Sequence, residues 1–142
     1  MTFQNLNSTE IAALLQSART IAIVGLSHDS SRPSCEVATA LLEFGYRIIP
    51  VNPNLQAWEN IPALPTLGAA VATLAPDERI DIVDVFRKPR YVAAIVDDCL
   101  RLKLPALWLQ RGVIDEAAAA RARAAGMTVV MDKCLKVERM RI

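Results

Sequence analysis

A doubly wound α/β domain on a five-stranded parallel sheet is the fold the sequence predicts, and three observations predict it. Apolar runs of strand length, such as TIAIV at Thr20 to Val24, alternate with segments of helical period. No repeat, linker or low-complexity stretch divides the chain, so residues 1–142 read as one domain. The 142 residues are 53% apolar, enough to bury a core without disulfide or metal staples.

Each element has its own signal. Asn7, with Glu10 three residues on, predicts a capped first helix ending near Ser17, ahead of strand one at Thr20 to Val24. A helix from about Pro33 to Phe44 places Val37, Ala40, Leu41 and Phe44 on one face and uses Gly45 as a left-handed stop. Strand two is Arg47 to Val51. The crossover after it, NPNLQAWENIPALPT, carries prolines that no helix interior tolerates, so a short helix near Leu67 to Leu74 completes it. Strand three, Ile80 to Phe86, passes through Pro89 into a helix whose buried face is Val92, Ile95, Val96 and Cys99. Strand four is Ala106 to Leu109. A last helix, with Asp115 and Glu116 at its positive end, runs to Ala125, stops at Gly126 and returns as strand five, MTVVM.

Composition narrows the function. A formal charge of +1 argues against nucleic-acid binding through bulk charge. No basic segment followed by an apolar run opens the chain and no eighteen apolar residues run together, so a cytoplasmic protein without a membrane anchor is expected. Cys35, Cys99 and Cys134 have neither C-x-x-C spacing nor a nearby histidine, so reduced thiols are expected, with no disulfide framework or metal site.

Right-handed crossovers allow the strand order 3-2-1-4-5, which puts a ligand crevice beyond the carboxyl ends of strands one and four. The loops on that edge, GLSHDSSRPS, NPN, RKP, QRG and DKC, contain Arg32, Arg87, Lys88, Arg111 and Lys133 against Asp29 and Asp132. That excess favours an anionic ligand. Gly25 permits a tight turn after strand one, and the next helix start can hold a phosphate with help from Ser27, Ser30 or Ser31, unless the glycine marks an ordinary turn. An NAD(P) site wants further glycines in this loop and an acid or arginine after strand two. The chain has Leu26 and Ser27 in the first place and Asn52-Pro53-Asn54 in the second, which disfavours a dinucleotide oxidoreductase and leaves it as the alternative.

With VGLS (Val24 to Ser27), RPS (Arg32 to Ser34), IIPVNP (Ile48 to Pro53), IDIVDVFR (Ile80 to Arg87), LWLQRGV (Leu107 to Val113) and VVMDKC (Val129 to Cys134) in order, the chain resembles the small stand-alone coenzyme A-binding proteins of the YccU type. That family is similar to the amino-terminal domain of the succinyl-coenzyme A synthetase alpha subunit. The resemblance implies a Rossmann-like fold with helices on both faces of the sheet and coenzyme A across the strand ends. It implies that Gly25, Ser27, Arg32 and Pro33 frame the diphosphate and that Asn52 and Pro53 border the adenosine. It further implies that Val85, Phe86 and Arg87 flank the nucleotide or pantetheine path, with Gln110 and Gly112 on the far wall. His28 joins the candidates as a neighbour in the first loop, although without a carboxylate partner it also reads as a solvated loop residue. Lys133 stands where the family pattern has arginine, which keeps the charge and loses the bidentate fork.

Plainer readings stand beside these. Phe86 and Trp108 could be core aromatics, Arg87 a surface residue or the partner of Asp84, and Lys88 and Arg111 solvated charges. Asp84 within a buried strand, alternating with Asp81, suggests capping or pairing at a strand edge. Cys134 is placed to form a mixed disulfide with a thiol-bearing ligand under oxidation. A ligase of the related type needs a phosphorylated histidine and a partner domain, and no catalytic triad or paired-carboxylate motif is visible. A binding, sensing or carrier module for coenzyme A or an acyl derivative is therefore expected, with an interaction protein whose pocket is vestigial as a further alternative.

Overall fold

The structure is a computed structural model and describes residues 3–142. Five parallel strands form the sheet: β1 (Thr20–Val24), β2 (Arg47–Val51), β5 (Ile82–Val85), β6 (Ala106–Leu109) and β7 (Thr128–Met131), in the order β2-β1-β5-β6-β7. β1, β5 and β6 are buried along their whole length, as expected for strands covered on both faces. Their side chains divide by parity. Ile21, Ile23, Ile82 and Trp108 face one helical layer, while Ala22, Val24, Val83, Val85 and Leu109 face the other.

The first layer holds α1 (Ser8–Ser17), α2 (Pro33–Glu43) and α6 (Leu135–Met140); the second holds α3 (Leu67–Ala72), α4 (Val92–Arg101) and α5 (Glu116–Ala124). α1 starts with the expected capping box: the Asn7 side chain accepts from the Glu10 amide at 2.8 Å, and Glu10 accepts from the Asn7 amide at 2.9 Å. α4 buries Val92, Ile95, Val96 and Cys99, the stripe its periodicity predicts. Each such aliphatic contributes roughly 1.5–3 kcal/mol of transfer free energy. Asp115 caps α5 by accepting from the Ala118 amide at 3.0 Å.

The doubly wound class is as expected, but the third strand of the sheet lies beside β1 rather than outside β2. Counting the main-sheet strands alone, the order is 2-1-3-4-5 instead of 3-2-1-4-5. Two causes act together. The crossover from β2 to β5 runs over the face opposite α2, where Leu67 and Ala70 of α3 are buried, and a right-handed crossover on that face returns the chain past β1. Pro50 also lies in β2, and its carbonyl accepts from Leu64 on the outer side at 2.9 Å. A proline there has no amide to offer an outer neighbour, so β2 is an edge strand.

Two elements lie outside the sequence-based expectation. A two-stranded hairpin, β3 (Ala57–Trp58) and β4 (Ile61–Pro62), fills the proline-rich crossover and turns through Glu59 and Asn60, both at positive φ. α6 follows β7 and packs on the α1/α2 layer through Leu135. The expected start of α4 at Pro89 is a 3-10 turn, Pro89–Tyr91, leading into the helix.

The two aspartates near β5 differ. Asp81 accepts from the amides of Arg19 at 2.8 Å and Thr20 at 2.9 Å and from Arg79 at 2.8 Å. Burial raises its pKa, but these hydrogen bonds outweigh it and hold the carboxyl below the usual range. Asp84 neither caps nor pairs: it is fully buried between Ile23 and Trp108, and neither oxygen has a partner among the described residues. Desolvation pushes its pKa well above the usual value, so the folded state keeps a proton that the unfolded chain releases at lower pH. Over the interval between those two values stability falls as pH rises, by at most about 1.4 kcal/mol per unit for one group. Asp84→Asn removes that slope. Urea denaturation from pH 4 to 8 is expected to show a gain in the variant, relative to wild type, that grows with pH; a gain independent of pH contradicts the assignment.

Candidate functional site

The sheet order reverses at β1 and β5, and a cleft of about 850 Å³ opens beyond their carboxyl ends. Its floor begins at Gly25. This residue sits at φ +89°, and a Cβ there would lie 2.8 Å from the Phe86 carbonyl oxygen and 3.0 Å from Cδ of Arg87. Only a glycine lets the β1 and β5 chain ends approach this closely.

Serines organise the rest of the first loop. The Ser27 amide donates to Oγ of Ser34 at 3.0 Å, and Oγ of Ser27 accepts from the Asp29 amide at 3.0 Å. Asp29 in turn accepts from the hydroxyl of Ser31 at 2.7 Å and its amide at 3.0 Å, bonds that hold its carboxyl below the usual range. The Cys35 thiol donates to the Ser27 carbonyl at 2.7 Å, and burial pushes its pKa up, which keeps it a neutral packing group. These short-range bonds fix a loop that has a single glycine. The loop delivers the start of α2, with Pro33 at its first turn, to the cleft.

Of the residues singled out in the sequence, Gly25, Ser27, Arg32, Pro33, Phe86, Arg87, Gln110 and Gly112 all line this one cleft. Gln110 is buried, and its Oε1 accepts from the Leu135 amide at 3.1 Å, so it supports the start of α6 as well as the cleft wall. The Gly112 amide donates to Asp132 at 2.8 Å. Four others lie outside it. His28 is exposed on the loop; Pro53 is exposed beyond β2; Asn52 donates to the Leu26 carbonyl at 3.0 Å and accepts from the Asn54 amide at 2.9 Å. Val85 is fully buried in the core, with its carbonyl accepting from the Gln110 amide at 3.3 Å.

Trp108 is also core, with its indole nitrogen donating to the Lys133 carbonyl at 2.8 Å, and Lys133 itself does not line the cleft. Lys88 and Arg111 are exposed, as their plain reading holds, yet both border the opening. The cleft also takes residues that sequence reasoning passed over. Glu36 and Val37 lie one turn into α2, where the i+3 and i+4 spacing from Pro33 points to the same side. Lys136 and Val137 come from α6. Lys136 pairs with Glu36 at 2.8 Å, which raises the lysine pKa and lowers that of the glutamate. Cys134, half-buried, lines the same wall.

The cleft therefore carries Arg32, Arg87, Lys88, Arg111 and Lys136 against one acid, Glu36, with Phe86, Val37, Val113 and Val137 as apolar surface. Such a lining suits a long ligand that is anionic at one end and has an apolar stem. A second groove of about 530 Å³ lies between α2 and the β3–β4 hairpin and shares the Glu36–Lys136 pair with the cleft. Among the described residues no group of three or more His, Cys, Asp or Glu could hold a metal ion, and no helix is long and apolar enough to cross a membrane.

The Gly25 contact is open to direct test. Gly25→Ala meets both an unfavourable φ and the Phe86 carbonyl, a strain of about 1–3 kcal/mol. Denaturant unfolding is expected to show that loss, whereas Gly45→Ala, at positive φ but with open space around the added Cβ, should lose less. Equal losses would mean that the close approach contributes nothing.

Comparison with known proteins agrees with the fold and the motifs. A family model described as a CoA binding domain matches residues 19–140. The chain is 37% identical to YneT of Bacillus subtilis (strain 168) over 134 residues, covering 94% of this chain and 95% of that protein. It is similar to the structure of cell-free ID.343 from Thermus thermophilus, with a TM-score of 0.85 and 38% identity over 96% of this chain and 98% of that one. A more distant likeness is to the dinucleotide forming acetyl-coenzyme A synthetase 1 of Ca. Korarchaeum cryptofilum, with a TM-score of 0.63 and 20% identity over 78% of this chain but 25% of that one. At that identity the likeness concerns the fold. The matched family model, together with the motif series from VGLS to VVMDKC, places the chain in the CoA-binding domain family.

Proposed function

We propose that this protein is a cytoplasmic binding module that holds coenzyme A or an acyl derivative in the cleft beyond β1, β5 and β6, without carrying out group transfer itself. The observation that carries this reading is the charge of the cleft: five cationic side chains converge on one opening at the point where the sheet order reverses. Coenzyme A carries a diphosphate and a further phosphate on its ribose, and its pantetheine arm is the kind of stem the apolar wall accommodates.

The chemistry follows from the residues. The α2 amino terminus offers partial positive charge to a diphosphate, and Arg32 beside it adds a donor fork. Arg87 and Lys88 stand on the β5 side of the same opening, so a multiply charged anion is met from two sides. The pantetheine arm then runs past Phe86 and Gln110 toward Val113, Val137 and Cys134. His28, the chain's one histidine, is exposed outside this path, which supports holding rather than phosphoryl relay. An NAD(P) reading has less support. The residue at the ribose-binding position, Asn52, is neither acidic nor basic, and its amide is committed to the Leu26 carbonyl.

Thermal unfolding of ligand-stripped protein with coenzyme A, acetyl-coenzyme A, NAD and NADP in parallel tests the proposal. Ligand at a hundredfold its Kd stabilises by about 2.7 kcal/mol, a rise of roughly 5–10 °C for a chain of this size. The coenzyme A compounds are expected to give that rise, and Arg32→Ala or Arg87→Ala to weaken binding about 10- to 100-fold, the worth of a charge-assisted hydrogen bond. A rise with NAD or NADP instead, or variants that bind as tightly as wild type, contradicts it.

A further inference from the structure

We propose that Tyr91 is a positioning residue, whose ring, approached by Arg87 and Arg90, holds the Arg87 guanidinium at the cleft wall to receive an anionic group of the ligand. The nature of that ligand rests on the coenzyme A reading above; the stack itself does not.

The local chain makes the contact. Pro89 opens a single 3-10 turn, Pro89–Tyr91, closed by the Tyr91 amide donating to the Lys88 carbonyl at 2.9 Å, and this folds residue 91 back over residue 87. The Arg87 guanidinium carbon then lies 4.2 Å from the Tyr91 ring centroid. Arg90 lies 5.0 Å from the same centroid and donates to the Tyr91 hydroxyl at 3.2 Å. Beneath, the Arg87 stem crosses Gly25 so closely that a Cβ there would stand 3.0 Å from Cδ. The stem thus passes through room that only a glycine at position 25 leaves, and the head lies over an aromatic face.

That arrangement differs from ordinary surface pairing. Tyr91 is 37% exposed and belongs to neither buried cluster, so its ring is not core packing. Among the described residues no ion pair joins Arg87 to a carboxylate, whereas Arg32 is tied to Asp29 at 3.8 Å. A guanidinium over a ring, with five N–H donors and no carboxylate partner, keeps donors available for a phosphate. Ordering it in advance removes part of the entropy that a free arginine loses on binding.

Two measurements test this. The first needs no ligand: the chain has two tyrosines, and absorbance titration follows both phenols. Burial raises that of Tyr46, while Arg90, by hydrogen bond and charge, and then Arg87 hold that of Tyr91 below its usual value. Arg87→Gln should move the lower-titrating phenol upward; no movement means the stack is absent, and the proposal fails. The second is calorimetry with coenzyme A and, separately, pyrophosphate on wild type, Tyr91→Phe, Tyr91→Ala, Arg87→Gln and the Tyr91→Ala/Arg87→Gln double variant. Tyr91→Ala should weaken binding about two- to fivefold, the size of an exposed cation–π contact, and Tyr91→Phe should bind close to wild type because the ring face remains. In the Arg87→Gln background Tyr91→Ala should cost nothing more. Additive losses, or a Tyr91→Ala variant that binds like wild type, overturn the positioning role. If pyrophosphate shows the pattern and coenzyme A does not bind, the coenzyme reading falls and the positioning role stands; if neither binds wild type, both fall.

Discussion

The close approach of Gly25 to the Phe86 carbonyl is the contact on which the site depends. It joins the carboxyl ends of β1 and β5 at the place where the crossovers change face. A Cβ at residue 25 would force those ends apart, and the first loop, the start of α2 and the stem of Arg87 would move with them. The sheet supplies the rigid part of this constraint, since β1, β5 and β6 are buried throughout and cannot shift singly without opening the core.

Around that contact the cleft is assembled from elements far apart in sequence. Gln110, beyond β6, supports the first amide of α6, and α6 returns Lys136 to Glu36 on α2. The two helical walls are thus tied together through one buried amide side chain and one ion pair. A loop with further glycines would leave backbone amides free for a pyrophosphate; here Ser27, Ser34, Asp29 and Ser31 fasten the loop, and cationic side chains supply the charge. That difference in construction is why the chain departs from the dinucleotide pattern while keeping the α/β scaffold.

Much of this was legible in the sequence, because the strongest signals are local and repeated. The strands of the sheet, the Asn7 capping box and the buried stripe of α4 follow from periodicity and caps that tertiary contacts only reinforce. The observed strand order differs from the expected 3-2-1-4-5 although Pro50 points to it, since a strand that lacks an amide on its outer side belongs at an edge. α6 was missed for a different reason: it is six residues long, its cap residue Cys134 makes no side-chain cap bond, and its stability comes from Gln110 and the α1/α2 layer. Eight of the twelve candidate site residues line the cleft because strand ends can be located from sequence. Val85 lies outside the cleft lining because strand parity turns its side chain into the core, and Asn52 because its side chain bonds to the Leu26 carbonyl, which sequence does not display.

Coenzyme A binding in this cleft is tested most directly by residue-resolved amide chemical-shift mapping on titration with coenzyme A. Coenzyme A held in the cleft is expected to shift Gly25, Ser27, Arg87, Gln110, Gly112 and the first turns of α2 and α6, the rim of one cleft. Shifts confined to the groove between α2 and the β3–β4 hairpin, with the β1 and β5 ends undisturbed, would contradict it.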